Sequence, residues 1–296
     1  MTATLRPLVK WPGGKARLVP LLRSHFPADI ASRTQYVEPF LGGGALFLSL
    51  LGEQAFSRYL VSDINDRLMA LYATVRDEPA GVVSTLEFWQ AVYAGQTSER
   101  RAEDYRLRRE RFNARTSGPV EQAALFLYLN RTCFNGLYRE NHSGGFNAPF
   151  GRPEKPRLLD RENLQAVGSA LRSDGVTLRT ASFLDLEDSV EDGAFLFSDS
   201  PYVPLRSEVG YTTYKLDAFG SEDQVALRDF LVRLGDRGVK WLMSNSDPHN
   251  TDPEDDTLDE LYAGFNIRRI EAGRSIGAAA GTRGKVSEIL VSNYSA

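Results

Sequence analysis

The 296-residue chain holds one cysteine, Cys133, and three histidines, His25, His142 and His249. A lone thiol excludes internal disulfides and any multi-cysteine zinc site. The histidines are far apart and have no carboxylates at ligand spacing, so no metal is expected. No apolar run approaches the roughly 18 residues of a membrane-spanning helix, and Lys10-Trp11-Pro12-Gly13 arrives before a signal-type segment could form. A cytoplasmic protein with no membrane partner is the expectation. Internal repeats and low-complexity tails are also missing. So are a Gly-x-Gly-x-x-Gly turn and a P-loop, because Gly13-Gly14-Lys15 lacks both the spacing and the following Ser or Thr.

Basic charge is scarce overall: the formal net charge is −4 and the pI about 5.6, which by itself argues against a nucleic-acid partner. Its distribution points the other way. Seven arginines (100, 101, 106, 108, 109, 111 and 115) crowd one stretch with three acids, whereas 252–260 holds six acids and no base. The arginine run fits either a solvated helix with i,i+4 pairs or a face that touches phosphates.

Apolar runs alternate with helical patterns from 36 to 78 and again from 176 to 294. This implies an α/β sheet, mostly parallel and covered on both faces, whose last two strands form an antiparallel hairpin at one edge. Between these parts, 67–160 is rich in arginine, aromatics and helix formers and reads as a mainly helical insertion. Within it, 130–151 has the composition of a hairpin or ordered loop. The expected division is a catalytic domain from 1–66 and 161–296, with 67–160 as a separate recognition domain.

Three stretches carry chemistry. Ala194-Phe195-Leu196-Phe197-Ser198 is a buried strand that ends in Asp199-Ser200-Pro201-Tyr202, at the edge where open α/β sheets bind ligands. A carboxylate and a main-chain carbonyl aimed at one point beside an aromatic ring suit the exocyclic amine of a stacked base; a plain strand-ending turn explains the same tetrapeptide in isolation. Gly42-Gly43-Gly44 follows a strand and opens a helix, so backbone can approach a ligand. Asp63 ends the next strand about 20 residues later, the spacing of an acid that holds a ribose.

The sequence resembles the Dam family of DNA adenine-N6 methyltransferases. The resemblance is carried, in family order over almost the whole chain, by Lys10-Trp11-Pro12-Gly13-Gly14-Lys15, Glu38-Pro39-Phe40-Leu41-Gly42-Gly43-Gly44 and Ser62-Asp63-Ile64-Asn65. It continues through Asn130-Arg131-Thr132-Cys133-Phe134-Asn135-Gly136-Leu137-Tyr138-Arg139, Phe146-Asn147-Ala148-Pro149-Phe150-Gly151, Asp199-Ser200-Pro201-Tyr202 and Gly281-Thr282-Arg283. It implies a Rossmann-like methyltransferase sheet and S-adenosylmethionine as methyl donor, bordered by Trp11, Lys15, Glu38, Pro39, Phe40, Gly42, Gly44, Asp63, Ile64, Ser182, Phe183 and Asp199. Many members carry an acid at Ser182 that reads the cofactor's adenine amine. The resemblance also implies methylation of adenine in GATC of double-stranded DNA, with the base flipped into a site made by Asp199, Ser200, Pro201 and Tyr202. Arg139 would read guanine, Leu137 and Pro149 would touch other bases, Phe134 and Asn135 would wedge into the duplex, and Arg131 would lie at the same surface.

Arg268, Arg269, Arg274, Arg283, Lys285 and the run from 100 to 115 become candidate phosphate contacts, and Tyr211, Tyr214 and Lys215 lie in a polar loop after the catalytic motif. Ser200 stands where the family usually has proline. That difference keeps open a catalytically weakened DNA-binding protein, alongside amino methylation of cytosine N4, RNA or protein glutamine. Restriction protection, repair marking and gene regulation are all compatible roles.

Overall fold

The computed structural model describes residues 4–201, 219–273 and 285–295. Tyr202, Tyr211, Tyr214, Lys215, Arg274 and Gly281-Thr282-Arg283 lie outside the described residues, as does the side chain of Lys285.

Strands β1 (Gln35–Glu38), β2 (Arg58–Asp63), β3 (Val176–Thr180), β4 (Phe195–Asp199), β5 (Lys240–Ser246), β6 (Asn266–Gly273) and β7 (Lys285–Ser292) form one sheet in the order β3-β2-β1-β4-β5-β7-β6. The pairs β1–β2, β1–β4 and β4–β5 are parallel, and β7 is antiparallel to both β5 and β6. The Rossmann-like sheet with an antiparallel edge hairpin expected from the sequence is the one observed. Phe195, Leu196, Phe197 and Ser198 are all buried, as a central parallel strand covered on both faces requires.

The chain divides into two compact units. One comprises Arg17–Leu41, Phe56–Ile64 and Ala181–Ala296. Helix α1 (Val19–Arg23), helix α8 (Ser221–Asp236), helix α9 (Thr257–Leu261) and six of the strands belong to it. Its core gathers Val37, Leu196, Met243 and Val291 from the strands with Leu227, Phe230 and Leu234 from α8. Helix α9 lies largely within the acid-rich stretch 252–260.

The other unit comprises Met1–Ala16, Gly42–Ala55 and Asn65–Thr180. It holds β3 and the helices α2 (Ala45–Gly52), α3 (Asp66–Asp77), α4 (Pro79–Gly95), α5 (Ser98–Ala114), α6 (Pro119–Thr132) and α7 (Arg161–Leu171). Asn65, Thr97 and Asp160 cap α3, α5 and α7 through their side chains. Helix α6 runs to Thr132, so Asn130, Arg131 and Thr132 are helical and the hairpin begins at Cys133, later than composition suggested. Asn and Thr are weak helix formers, but Asn130 is buried and bonded to the Lys10 backbone, a tertiary contact that overrides propensity, while Thr132 bonds locally back to the Tyr128 carbonyl at 2.7 Å.

The hairpin has only two isolated bridges, Cys133 with Phe150 and Glu140 with Phe146. Backbone bonds such as Phe134 N–H to the Pro149 carbonyl and Asn147 N–H to the Arg139 carbonyl, both at 2.9 Å, share the work with side chains. Asn113 donates to the Phe146 carbonyl and accepts its N–H, both at 2.9 Å, and Tyr105 donates to the Ala148 carbonyl at 2.7 Å.

Most of the arginine run is spent inside this unit. The Arg108 guanidinium lies 3.9 Å from the Trp89 ring centre and 4.6 Å from that of Tyr128, and it pairs with Asp104 at 2.7 Å. Arg101 lies over Tyr93, Arg106 pairs with Glu110, Arg111 with Glu121 and Arg115 with Asp66. These five are engaged within the unit by ion pairs or ring contacts. Arg100 is mostly exposed, 3.8 Å from Glu103, and Arg109 has no ion pair among the described residues.

Gly168 sits where α7 meets α3: a Cβ there would come 2.5 Å from the Val75 carbonyl oxygen and 3.1 Å from Pro79 Cβ. Alanine normally outdoes glycine in a helix by about 1 kcal/mol, but here backbone must move. Gly168→Ala is expected to destabilise the protein by about 1–3 kcal/mol in urea unfolding; a stabilised variant would show that the helices part freely.

Candidate active site and nucleic-acid interface

Parallel register puts Asp199, the last residue of β4, opposite Ser244 of β5. The Ser244 hydroxyl donates to Asp199 Oδ1 at 2.8 Å, which leaves Oδ2 as the oxygen that bond does not use. Ser200 is 2% exposed, and its hydroxyl accepts a bond from Asn245 Nδ2 at 3.2 Å. Among the described residues this is its hydrogen bond, so the serine hydroxyl is not directed at Asp199. Pro201 is exposed, and its carbonyl accepts from Gln224 of α8 at 3.3 Å.

In the same unit, Glu38 is buried at the end of β1 and accepts the Tyr36 hydroxyl at 2.5 Å. Burial, with the nearby Glu38 charge, pushes the Tyr36 phenol well above its ordinary pKa, so it remains a donor. The turn after β1 is tied to β2, because Leu41 N–H donates to the Ser62 carbonyl at 2.8 Å and the Ser62 hydroxyl to the Pro39 carbonyl at 3.2 Å. Asp63 ends β2, and Ile64 beside it is 80% exposed, an apolar face with little protein over it. Phe40 packs on Phe183 with ring centres 5.6 Å apart, and Phe183 is buried against Phe219 and Phe230 as well. Ser182 and Asp185 form a capping box: the hydroxyl accepts Leu184 N–H and the carboxylate accepts Ser182 N–H. An acid at the end of a strand, an uncovered aliphatic face and a half-buried phenyl ring fit a nucleoside with hydroxyls to bond and a flat ring to cover.

The other unit carries the remaining motifs. Gly42 has φ +48°, and a Cβ would fall 2.8 Å from Trp11 Cδ1; the glycine turn is therefore also demanded by the indole lying against it. Gly44 has φ +64° and caps α2. Trp11 stacks on Tyr138 at 5.0 Å and Tyr138 on Phe126 at 5.0 Å, while the Tyr138 hydroxyl donates to Glu140. The Asn130 amide exchanges bonds with the backbone of Lys10 at 2.8 and 2.9 Å and donates to the Gly136 carbonyl at 3.2 Å. Lys15 is buried.

Phe134, Asn135, Arg139 and Pro149 are exposed on the hairpin, and Leu137 is half-buried. Asn135 has φ +55°, a left-handed conformation that asparagine tolerates. Arg139 is steadied by one residue: Nε donates to Asn147 Oδ1 at 2.7 Å and Nη2 to the Asn147 carbonyl at 3.3 Å. Arg131 is placed differently. Its guanidinium turns inward and donates to the Leu8 carbonyl at 3.0 Å.

Sequence reasoning did not single out Ser244, Asn245, Gln224 or Asn147 as site residues. The first two lie 45 positions from their partners and only parallel register brings them near; Asn147 lies in a motif that by itself gives it no role. Nor did it anticipate acids around His249, whose Nε2 is 3.0 Å from Asp256 Oδ1, with Asp259 close by. Asp259 is engaged by Arg269 at 2.7 Å, so Arg269 is ion-paired. None of the helices described is long and apolar enough to cross a membrane.

Residues 11–276 match the family described as D12 class N6 adenine-specific DNA methyltransferase. A Methanocaldococcus jannaschii protein named Type II methyltransferase M.MjaIII is 33% identical over 98% of this chain and 99% of its own. Type II methyltransferase M1.LlaDCHI of Lactococcus lactis subsp. cremoris is 34% identical over 98% and 96%. The DNA adenine methylase of Escherichia coli K12 is 34% identical over 96% and 94%. The chain belongs to the D12 class of N6 adenine-specific DNA methyltransferases.

Proposed function

We propose that this methyltransferase acts on adenine within GATC of double-stranded DNA, flipping the base out of the duplex, with S-adenosylmethionine as donor. The observation that carries the site preference is the hairpin, whose exposed Phe134, Asn135, Arg139 and Pro149 accompany Leu137. Arginine held in a fixed plane suits the bidentate reading of guanine O6 and N7, and a phenyl beside an amide suits filling the gap a flipped base leaves. DNA recognition is assigned to 67–160 and catalysis to 1–66 with 161–296. The inward bond of Arg131 supports a role in fastening Leu8 rather than in touching bases.

S-adenosylmethionine, when bound, supplies a methyl group as electrophile. For the chain's own part, Asp63 would bond ribose hydroxyls, Ile64 and Phe40 would cover the adenine, and Glu38 with Pro39 would border the amino-acid end. Trp11, Lys15, Gly42, Gly44, Ser182 and Phe183 are assigned to its surroundings. Asp199 and the main-chain carbonyl of Ser200 accept the two hydrogens of the substrate N6, drawing its lone pair out of conjugation with the ring. The carboxylate also stabilises positive charge growing on N6 and is placed to take its surplus proton. Pro201 fixes the turn, and Tyr202 is assigned to stacking on the base.

The family resemblance supports this reading over cytosine C5 methylation, which needs a thiolate. Burial pushes the Cys133 thiol up to about 11, leaving about one thiolate in a hundred even at pH 9. Cys133→Ala is therefore expected to keep methyl transfer near the wild-type rate; loss of transfer with the fold intact would reopen the nucleophilic route.

The main assay is transfer of labelled methyl to a GATC duplex and to one with the site scrambled. Label on N6 of adenine in the first only is expected, and label that ignores the site would refute the specificity. Asp199→Ala should lower turnover by roughly 100-fold or more while DNA affinity stays within a few fold; wild-type-like turnover would remove Asp199 from its role. Arg139→Ala should lose about 1–3 kcal/mol of discrimination at the guanine, read from rates on substituted duplexes, and an unchanged preference would move recognition elsewhere.

A further inference from the structure

Ser200 leaves the catalytic turn without the ring that fixes φ in a proline, yet its side chain is enclosed and its hydroxyl engaged. Two consecutive residues of β5 hold two consecutive residues of the β4 end: Ser244 bonds Asp199 at 2.8 Å and Asn245 bonds Ser200 at 3.2 Å. Because successive side chains of a strand point to opposite faces, the two bonds grip the strand end from both sides of the sheet. The orientation of the Asn245 amide is fixed by its other end, since Oδ1 accepts Ser246 N–H at 2.8 Å and so turns Nδ2 toward Ser200. Asn245 is fully buried and Ser200 nearly so; neither group has water to fall back on, and a lost partner costs its full desolvation penalty.

We infer that Asn245 is a positioning residue that holds the Asp199-Ser200-Pro201 turn through the Ser200 hydroxyl, supplying by a buried hydrogen bond the stiffness that proline would give. Its effect on the rate rests on the reading under Proposed function; its grip on the turn does not. Asn245 touches no substrate: it keeps the Ser200 carbonyl and the Asp199 carboxylate converging on one point.

The test is a double-mutant cycle with Ser200→Ala, Asn245→Ala and both together, read by single-turnover methyl transfer at saturating donor and duplex, by donor affinity, and by urea unfolding. Each single variant is expected to transfer methyl about tenfold more slowly, with donor Kd within threefold. The double variant should be no slower than the slower single one, and the unfolding constants should be coupled by at least fivefold. Multiplicative effects of the two substitutions on unfolding would overturn the inference. So would a coupled pair whose single variants keep the wild-type rate. If the wild-type protein methylates no duplex adenine, the functional reading fails, and the unfolding cycle alone decides whether Asn245 holds the turn.

Discussion

Every assignment at the catalytic edge depends on the register of β4 against β5. Five pairs run from Phe195 opposite Lys240 to Asp199 opposite Ser244. Side chains alternate across a sheet, so a slip of one residue would send Asp199 to the other face and pair it with a different neighbour. What opposes the slip is packing on both faces: Phe195, Leu196 and Phe197 are each no more than 1% exposed, and exchanging their faces would force a filled core to repack at a cost of about 1–3 kcal/mol. The carboxylate is thus located by the hydrophobic residues that precede it.

The hairpin from Cys133 to Gly151 obeys a different rule. With two isolated bridges and scattered backbone bonds it has little ladder to define its shape, and side-chain bonds to its backbone add to them. Asn113, Tyr105 and Asn141 each fix one part of it, and Asn130 ties its start to Lys10. At about 1 kcal/mol per bond, this arrangement is sturdy in sum and adjustable in any one place, which suits the proposed role of meeting a particular base sequence.

The parallel strands were legible because each is a continuous apolar run closed by a polar residue, as Phe195-Leu196-Phe197 closed by Asp199 shows. The hairpin was legible in composition but not in extent, since nothing local signals that α6 continues through Asn130 and Thr132. Contacts such as Asn245 with Ser200, or Asp256 with His249, were invisible: they depend on strand order and loop closure, which residue spacing does not encode. Motif order reached the site residues named in the motifs, whereas the residues that hold them in place came only from the structure.

Charge shows where pattern reading misleads. The arginines from 100 to 115 look like the nucleic-acid face, but Arg106, Arg108, Arg111 and Arg115 each pair with a carboxylate, and Arg108 is also packed between two rings. The exposed pairs among these are each worth about 0–1 kcal/mol, so they orient a guanidinium more than they hold it. Arg139 is held by an amide and a backbone carbonyl and has no acidic partner among the described residues. It is oriented without being neutralised, so its full charge and its fork of donors remain available at an exposed position. A neutral partner is what allows one arginine to be both fixed in place and free to bind.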